Sequence, residues 1–295
     1  MNRTGQVPLL EPKLLAQLER MELTSRKIFR GRMKGERRSK RKGQSVEFAD
    51  FRHYVPGDDL RFIDWNLYAR LDKLFLKLFL EEEDLHFYAL IDCSESMNFG
   101  DPTKLHFAKQ LAGALGYIGL CRSDRVKIQA LGRNTDGQVH RGRHSLWPMM
   151  EYLESIEPGG NAPLEQSIKQ FCLRNSGKGI VVLISDLMEK AGFQSSLRYL
   201  MGQKMDVYVV HVLSPEELEP DLKGDLRLVD CEDADFAEIT VSRPLYQKYK
   251  RTLAAFIESA REYCTRRGMT YLMTRSDRKI DEIVGSYLRQ RGLVR

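Results

Sequence analysis

Three small oxygen-bearing side chains stand close together in the segment DCSESM, at Asp92, Ser94 and Ser96. A carboxylate and two hydroxyls suit a hard divalent cation such as Mg²⁺ or Mn²⁺, because Mg²⁺ takes oxygen ligands and usually keeps several waters. A second aspartate, Asp186, ends the apolar run GIVVLISD and can supply another carboxylate. Each segment alone is weak evidence, because aspartate and serine also cap helices and form turns. Together they predict a cation site.

The elements that must position these residues alternate between short apolar runs and longer amphipathic ones from residue 86 onward. That alternation is typical of a parallel sheet covered by helices. The predicted strands are HFYALID, DRVKIQAL, GIVVLISD, MDVYVVHV and 270–274, the predicted helices are 104–121, 145–156, 163–173, 193–201 and 244–267, and a hairpin is expected around LRLVD and AEITV. Open α/β sheets bind ligands at the carboxyl ends of their strands, where both aspartates lie.

The first 85 residues differ in texture from the rest of the chain. An amphipathic helix is predicted within 10–30, and it leads into a basic arm, RKIFRGRMKGERRSKRK. Residues 1–42 hold thirteen Lys or Arg against four Glu, a charge of +9, so the remainder of this +6 chain carries −3. Aromatic and β-branched residues then indicate a small β-rich module. The predicted domains are therefore 1–43, 44–85 and 86–295.

Composition restricts the class of protein. With 42% hydrophobic and 30% charged residues, the chain is expected to fold as an ordered globular protein. It has no 18-residue apolar run, and charges interrupt its N-terminal segment, so we expect no membrane span and a cytoplasmic location. The five cysteines are too widely spaced to form a metal-binding pair or a disulfide framework.

The segment DCSESM resembles the DxSxS motif of the metal-ion-dependent adhesion site in von Willebrand factor A domains. The later aspartate, Asp186 in ISD, resembles the second aspartate loop of that fold. The resemblance implies a Rossmann-like open sheet flanked by helices and a bound Mg²⁺ or Mn²⁺. In that family a threonine from a middle loop completes the site. Here the corresponding segment GGNAPL offers either Asn161 or Ala162, depending on the alignment, and only Asn161 carries a side-chain oxygen.

A longer pattern covers nearly the whole chain. The segment GQSVEFADFRHYVPGDDLRFIDWNLYAR, followed by the DxSxS segment, is similar to the bacterial domain-of-unknown-function 58 family. The matching residues are Glu47, Phe48, Arg52, Tyr54, Gly57, Asp58, Arg61, Ile63, Asp64, Trp65, Ala69 and Arg70. Members of that family are commonly paired with AAA+ ATPases of the MoxR class. The resemblance therefore implies an adaptor role in assembling or activating other proteins.

Asp64, Trp65 and Arg70 have two interpretations. In the first, Arg52, Arg61 and Arg70 pair with the nearby aspartates 58, 59 and 64, while Trp65 packs onto the α/β domain. In the second, Asp64, Trp65 and Arg70 form a surface that binds a partner.

The functional hypothesis is a non-catalytic protein in which a divalent cation assists the binding of a partner. A rival is a metal-dependent phosphohydrolase, which needs a general acid two residues after its aspartate nucleophile, where this chain has Ser94. Another rival is nucleic-acid binding through the basic arm, although the arm contains no aromatic residue except Phe29 for base stacking. The chain has no phosphate-binding GxxxxGK[ST] loop, so we expect no ATP hydrolysis.

Overall fold

The computed structural model describes residues 9–25, 47–80, 85–133, 136–160, 162–175, 178–221, 224–229 and 236–295. Its contacts divide the chain into two units: residues 1–28 together with 85–295, called here the α/β unit, and residues 29–84, called the small unit. The basic arm from Arg26 to Lys42 lies outside the described residues.

The elements follow the order expected from the sequence, with a few additions. The strands are β1 (Glu47–His53), β2 (Phe75–Leu80), β3 (His86–Asp92), β4 (Arg125–Leu131), β5 (Gln138–Arg141), β6 (Gly179–Ser185), β7 (Met205–Leu213), β8 (Asp225–Val229), β9 (Phe236–Thr240) and β10 (Thr270–Arg275). The helices are α1 (Pro12–Leu18), α2 (Trp65–Leu71), α3 (Lys104–Cys121), α4 (Leu146–Ser155), α5 (Leu164–Arg174), α6 (Phe193–Met201), α7 (Pro215–Leu218), α8 (Arg243–Arg266) and α9 (Ile280–Glu282), which continues as a π-helix over Ile283–Leu288.

The α/β unit is built on a six-stranded sheet with the order β10-β7-β6-β3-β4-β5. Its first five strands are parallel, and β5 joins β4 in the antiparallel direction. The predicted α/β class is thereby confirmed, as is the hairpin, which forms from β8 and β9. The edge strand β5 was not predicted, because its four residues QVHR show little apolar alternation.

Helices cover both faces of this sheet, so its central strands are buried on both sides. One apolar cluster joins the sheet to α3, α4 and the C-terminal π-helix. The opposite cluster joins it to α5, α6 and α8. Helix α1 ends at Leu18, well short of the predicted limit, and Leu23 then pairs with Val294 in an isolated antiparallel bridge. Helix α1 thus packs on the α/β unit, with Leu18 fully buried.

The small unit consists of the antiparallel pair β1 and β2 with the intervening helix α2. Asp64 caps this helix, since its Oδ1 accepts hydrogen bonds from the backbone N–H groups of Asn66 and Leu67 at 2.9 and 3.0 Å. These two backbone hydrogen bonds lower the pKa of Asp64. Lys77 lowers it further, since its Nζ lies 3.0 Å from Oδ2 of Asp64.

Two of the three predicted ion pairs of the small unit are confirmed. Arg52 binds Asp58 at 2.8 Å and Arg61 binds Asp59 at 2.6 Å. The predicted pairing of Arg70 with Asp64 is wrong, because the free carboxylate oxygen of the helix cap faces Lys77 on β2.

No helix in the described ranges has the length and apolarity that a bilayer crossing requires.

Candidate functional site

The two aspartates predicted to bind a cation lie at the carboxyl edge of the sheet, on neighbouring strands. Asp92 is the last residue of β3, and Asp186 directly follows β6. These strands pair in parallel, with Ile91 opposite Ile184, so their carboxyl ends meet at the same edge. Asp92 is 7% exposed and Asp186 is 1% exposed. Two carboxylates are therefore buried together at one point of the fold.

The carboxylate of Asp92 is held by two donors. Its Oδ1 accepts a hydrogen bond from the backbone N–H of Ser94 at 3.0 Å, and its Oδ2 accepts one from the hydroxyl of Ser185 at 2.6 Å. Ser185, fully buried at the end of β6, was not identified from the sequence. Burial and the nearby charge of Asp186 raise the pKa of Asp92 to about 6. A cation beside Asp92 would favour its ionised form.

The two serine hydroxyls converge beside this carboxylate. Ser94 Oγ lies 2.9 Å from Ser96 Oγ, within hydrogen-bonding distance. Ser94 directly precedes a short 3₁₀ turn, Glu95–Asn98, which contains Ser96 and the fully buried Met97. Because Met97 anchors the turn in the apolar core, both hydroxyls are held on the same side of it.

Asp186 is bound by a buried lysine that the sequence did not reveal as part of the site. Lys104 Nζ lies 2.7 Å from Asp186 Oδ2 and 2.5 Å from Glu217 Oε1, and the lysine side chain is fully buried. Burial alone would lower the pKa of Lys104, but the charges of Asp186 and Glu217 outweigh it and raise that pKa. The lysine therefore stays protonated beside Asp186.

A glycine loop closes the site from the side of α5. The backbone N–H groups of Gly159 and Gly160 both donate to the carbonyl of Cys93, at 3.0 and 2.9 Å. Ala162 N–H donates to the carbonyl of Gly132, which follows β4, at 3.2 Å. Asn161, one of the predicted ligands, lies outside the described residues.

Two glycines in this region approach each other too closely for side chains. A Cβ built on Gly132, whose φ is +85°, would lie 2.8 Å from the Cα of Gly160. We therefore expect Gly132→Ala to lower the free energy of unfolding by about 1–3 kcal/mol, through strain and displacement of the loop. Urea unfolding measures this, with Gly202→Ala as the control, since the nearest contact there is 3.5 Å. Equal effects in both variants would contradict the close approach.

These residues line a cleft of about 390 Å³. Its lining includes Asp92, Ser94, Glu95, Gly132, Gly160, Ala162, Asp186, Glu189 and Lys190. Within the described ranges, no group of three or more His, Cys, Asp or Glu side chains could hold a metal ion. A cation at this cleft would therefore need serine hydroxyls and water besides the two aspartates.

The other predicted site residues belong to the small unit. Trp65 is 61% exposed, and its ring stands edge-on to Tyr68 at a centroid distance of 6.2 Å. Asp64 caps the helix that Trp65 begins, and Arg70 lies exposed in its last turn. Their role as a partner surface, like the packing of Trp65 onto the α/β unit, stays a prediction.

A second cleft, of about 570 Å³, lies beside α1. Its charged lining residues are Lys13, Arg20, Arg289 and Arg295, all exposed. This cleft therefore concentrates positive charge on the surface of the α/β unit.

Fold and cleft together define an α/β protein whose mostly parallel sheet, covered on both faces, carries a buried acidic pair at its carboxyl edge. The sequence profile of the family described as "Protein of unknown function DUF58" matches residues 50–259, and the chain belongs to this family. Uncharacterized proteins of Mycobacterium bovis and of two Mycobacterium tuberculosis strains are each similar to it. Each is 25% identical over 276 residues, covering 91% of this chain and 86% of the relative.

Proposed function

We propose that the α/β unit is a von Willebrand factor A-type domain that binds a partner protein with the help of a divalent cation. The observation that carries the proposal is the convergence of Asp92, Ser94 and Asp186 on one cleft at the carboxyl edge of the sheet. The DxSxS turn after the central strand β3 and the aspartate after its neighbour β6 match the arrangement that the resemblance implies.

The donor set fits Mg²⁺ or Mn²⁺. All candidate ligands are oxygen atoms, which hard cations prefer, and two of the residues are neutral serines. Ionised Asp92, Asp186 and Glu217 together with Lys104 carry a formal charge of −2, which attracts a divalent cation. The pKa of Asp92 is raised chiefly by burial and further by the charge of Asp186, and a cation beside the carboxylate would offset both effects.

A bound cation would supply an electrophilic position that a carboxylate of the partner can occupy. The chain's own residues would position that carboxylate. Ser94 and Ser96 contribute no charge and so leave the cation electrophilic, while Glu189 and Lys190 in the cleft lining would discriminate between partner side chains. A cleft of about 390 Å³ admits a side chain of the partner.

We propose that this site binds without catalysing a reaction. A phosphohydrolase that used Asp92 as its nucleophile would need a carboxylic acid two residues later, and Ser94 cannot protonate a leaving group in that way. Lys104 is fully buried against Asp186 and Glu217 and does not line the cleft, so it is not placed to contact a substrate there.

The partner we propose is an AAA+ ATPase of the MoxR class, in the cytoplasm, because the family resemblance implies this pairing. The test is binding of such an ATPase to the immobilised chain in Mg²⁺ and in EDTA. We expect the ATPase to bind in Mg²⁺, and we expect both EDTA and the substitution Asp92→Ala to abolish that binding. The control is Asp281→Ala, at an exposed position of α9, which should bind the ATPase like the unchanged chain. Binding that persists in EDTA and in Asp92→Ala would contradict cation-assisted docking.

Nucleic-acid binding is a second candidate, and the basic cleft beside α1 favours it. Lys13, Arg20, Arg289 and Arg295 are all exposed and line this cleft together, so their charges can meet phosphates. DNA affinity that falls steeply with salt, and loses that dependence when the exposed Lys13, Arg20, Arg289 and Arg295 are replaced by glutamine, would support this function.

A further inference from the structure

Lys104 occupies a position that disfavours a positive charge. It is the first residue of α3, where the helix dipole repels cations, and its side chain is fully buried. A buried ammonium group is costly unless it is paired and hydrogen-bonded. Asp186 and Glu217 provide that pairing, from 82 and 113 residues further along the chain.

The two carboxylates compete for this one ammonium group. Asp186 Oδ2 accepts from Lys104, and its Oδ1 accepts from the backbone N–H of Met188 at 3.0 Å, so both oxygens have a donor. Glu217 Oε1 holds Lys104 from the other side, while its Oε2 accepts from the backbone N–H of Ser214 at 2.7 Å. The latter bond belongs to the capping box of α7, which fixes Glu217 in place.

We propose that Lys104 is a positioning residue that sets the affinity of the cleft for divalent cations, by occupying Oδ2 of Asp186 and competing for its charge. This inference rests on the proposed cation site. Glu217 acts in the opposite direction, because it draws the ammonium group away from Asp186 and adds negative charge. The free chain then binds the cation weakly, and the carboxylate of a partner supplies the missing ligand.

Substitutions of Lys104 and of Glu217 are expected to change the cation affinity in opposite directions. An ion pair with a purely structural role would not produce that difference. Lys104→Met keeps the volume but frees Asp186 and removes a positive charge, whereas Glu217→Gln leaves Lys104 wholly to Asp186. We expect Mn²⁺ to bind Lys104→Met about tenfold or more tightly, and Glu217→Gln several-fold more weakly, than the unchanged chain. Glu219→Gln is the control and should not change the affinity, because Glu219 lies two residues after Glu217, is exposed, and has no contact with Lys104 among the described residues.

Calorimetric titration of Mn²⁺ into the unchanged chain and each variant measures these affinities. The midpoint of thermal unfolding with and without Mn²⁺ gives a second readout, and we expect a larger Mn²⁺-induced rise in Lys104→Met than in the unchanged chain.

The outcomes distinguish the two proposals. Binding by the unchanged chain with no gain in Lys104→Met overturns the role of Lys104 and leaves the cation site standing. If Lys104→Met does not fold, an undiminished Mn²⁺ affinity of Glu217→Gln overturns that role equally. No binding by the unchanged chain, by Lys104→Met or by Glu217→Gln overturns both the inference and the cation site.

Discussion

Replacing Lys104 by methionine is expected to lower the free energy of unfolding by about 3–5 kcal/mol in the absence of divalent cations. Methionine nearly preserves the volume of the side chain, so the loss reports the missing charge. Without the ammonium group, Asp186 and Glu217 remain buried with uncompensated negative charge. Urea unfolding at neutral pH in EDTA measures the effect.

The control is Lys109→Met on the same helix. Lys109 is only partly buried, and within the part of the chain that the structure describes its Nζ donates to the backbone carbonyl of Glu154 at 3.4 Å and forms no ion pair. We expect Lys109→Met to change stability by about 0.5 kcal/mol or less. Similar losses in the two variants would mean that the three-residue cluster contributes little to stability.

The second large effect is a loss of stability in acid that depends on His211. This histidine is fully buried on β7, with its Nδ1 2.7 Å from the hydroxyl oxygen of Tyr271, and burial lowers its pKa from 6.5 to about 4. As the pH falls, the unfolded chain therefore takes up a proton first. The stability gained from neutral His211 is full above pH 6.5 and is lost progressively as the pH falls to about 4.

We expect the unchanged chain to lose about 2–3 kcal/mol more than His211→Gln between pH 7.5 and pH 4.5. Urea unfolding at the two pH values measures this difference, and replacing the exposed His144 by glutamine is the control. Asp92 acts in the opposite direction, since its raised pKa favours the folded chain below about pH 6. This effect is present in the unchanged chain and in both histidine variants, so it cancels in the comparison. Identical pH dependence of His211→Gln and the unchanged chain would contradict the shift of the His211 pKa.

Much of the α/β unit could be predicted because its pattern is local. Strands β3 and β6 are buried on both faces, so each appears in the sequence as an unbroken apolar run. Helices α3 and α6 carry apolar positions at helical spacing, and their predicted limits agree with the structure. By contrast, β5 is too short to produce a pattern, and α1 stops early because the chain from Leu23 pairs with the C-terminal segment.

The same distinction applies to the site. Asp92 and Asp186 could be predicted, since each ends an apolar strand and parallel strands present their carboxyl ends at one edge. Lys104, Ser185 and Glu217 could not, because nothing in their neighbouring sequence marks them as partners of an aspartate. Their contacts join residues that are 82 to 113 positions apart. Such pairings depend on the folded arrangement of helices above the sheet.

The most direct test of the cation site is a calorimetric titration of Mg²⁺ and of Mn²⁺ into the purified chain, with Asp92→Ala as the comparison. The account predicts saturable binding of one ion per chain, lost in Asp92→Ala, because Asp92 supplies the carboxylate between the serine hydroxyls and Asp186. Binding that is equally strong in Asp92→Ala would place the cation elsewhere, and no binding to the unchanged chain would contradict a cation site formed by this chain alone.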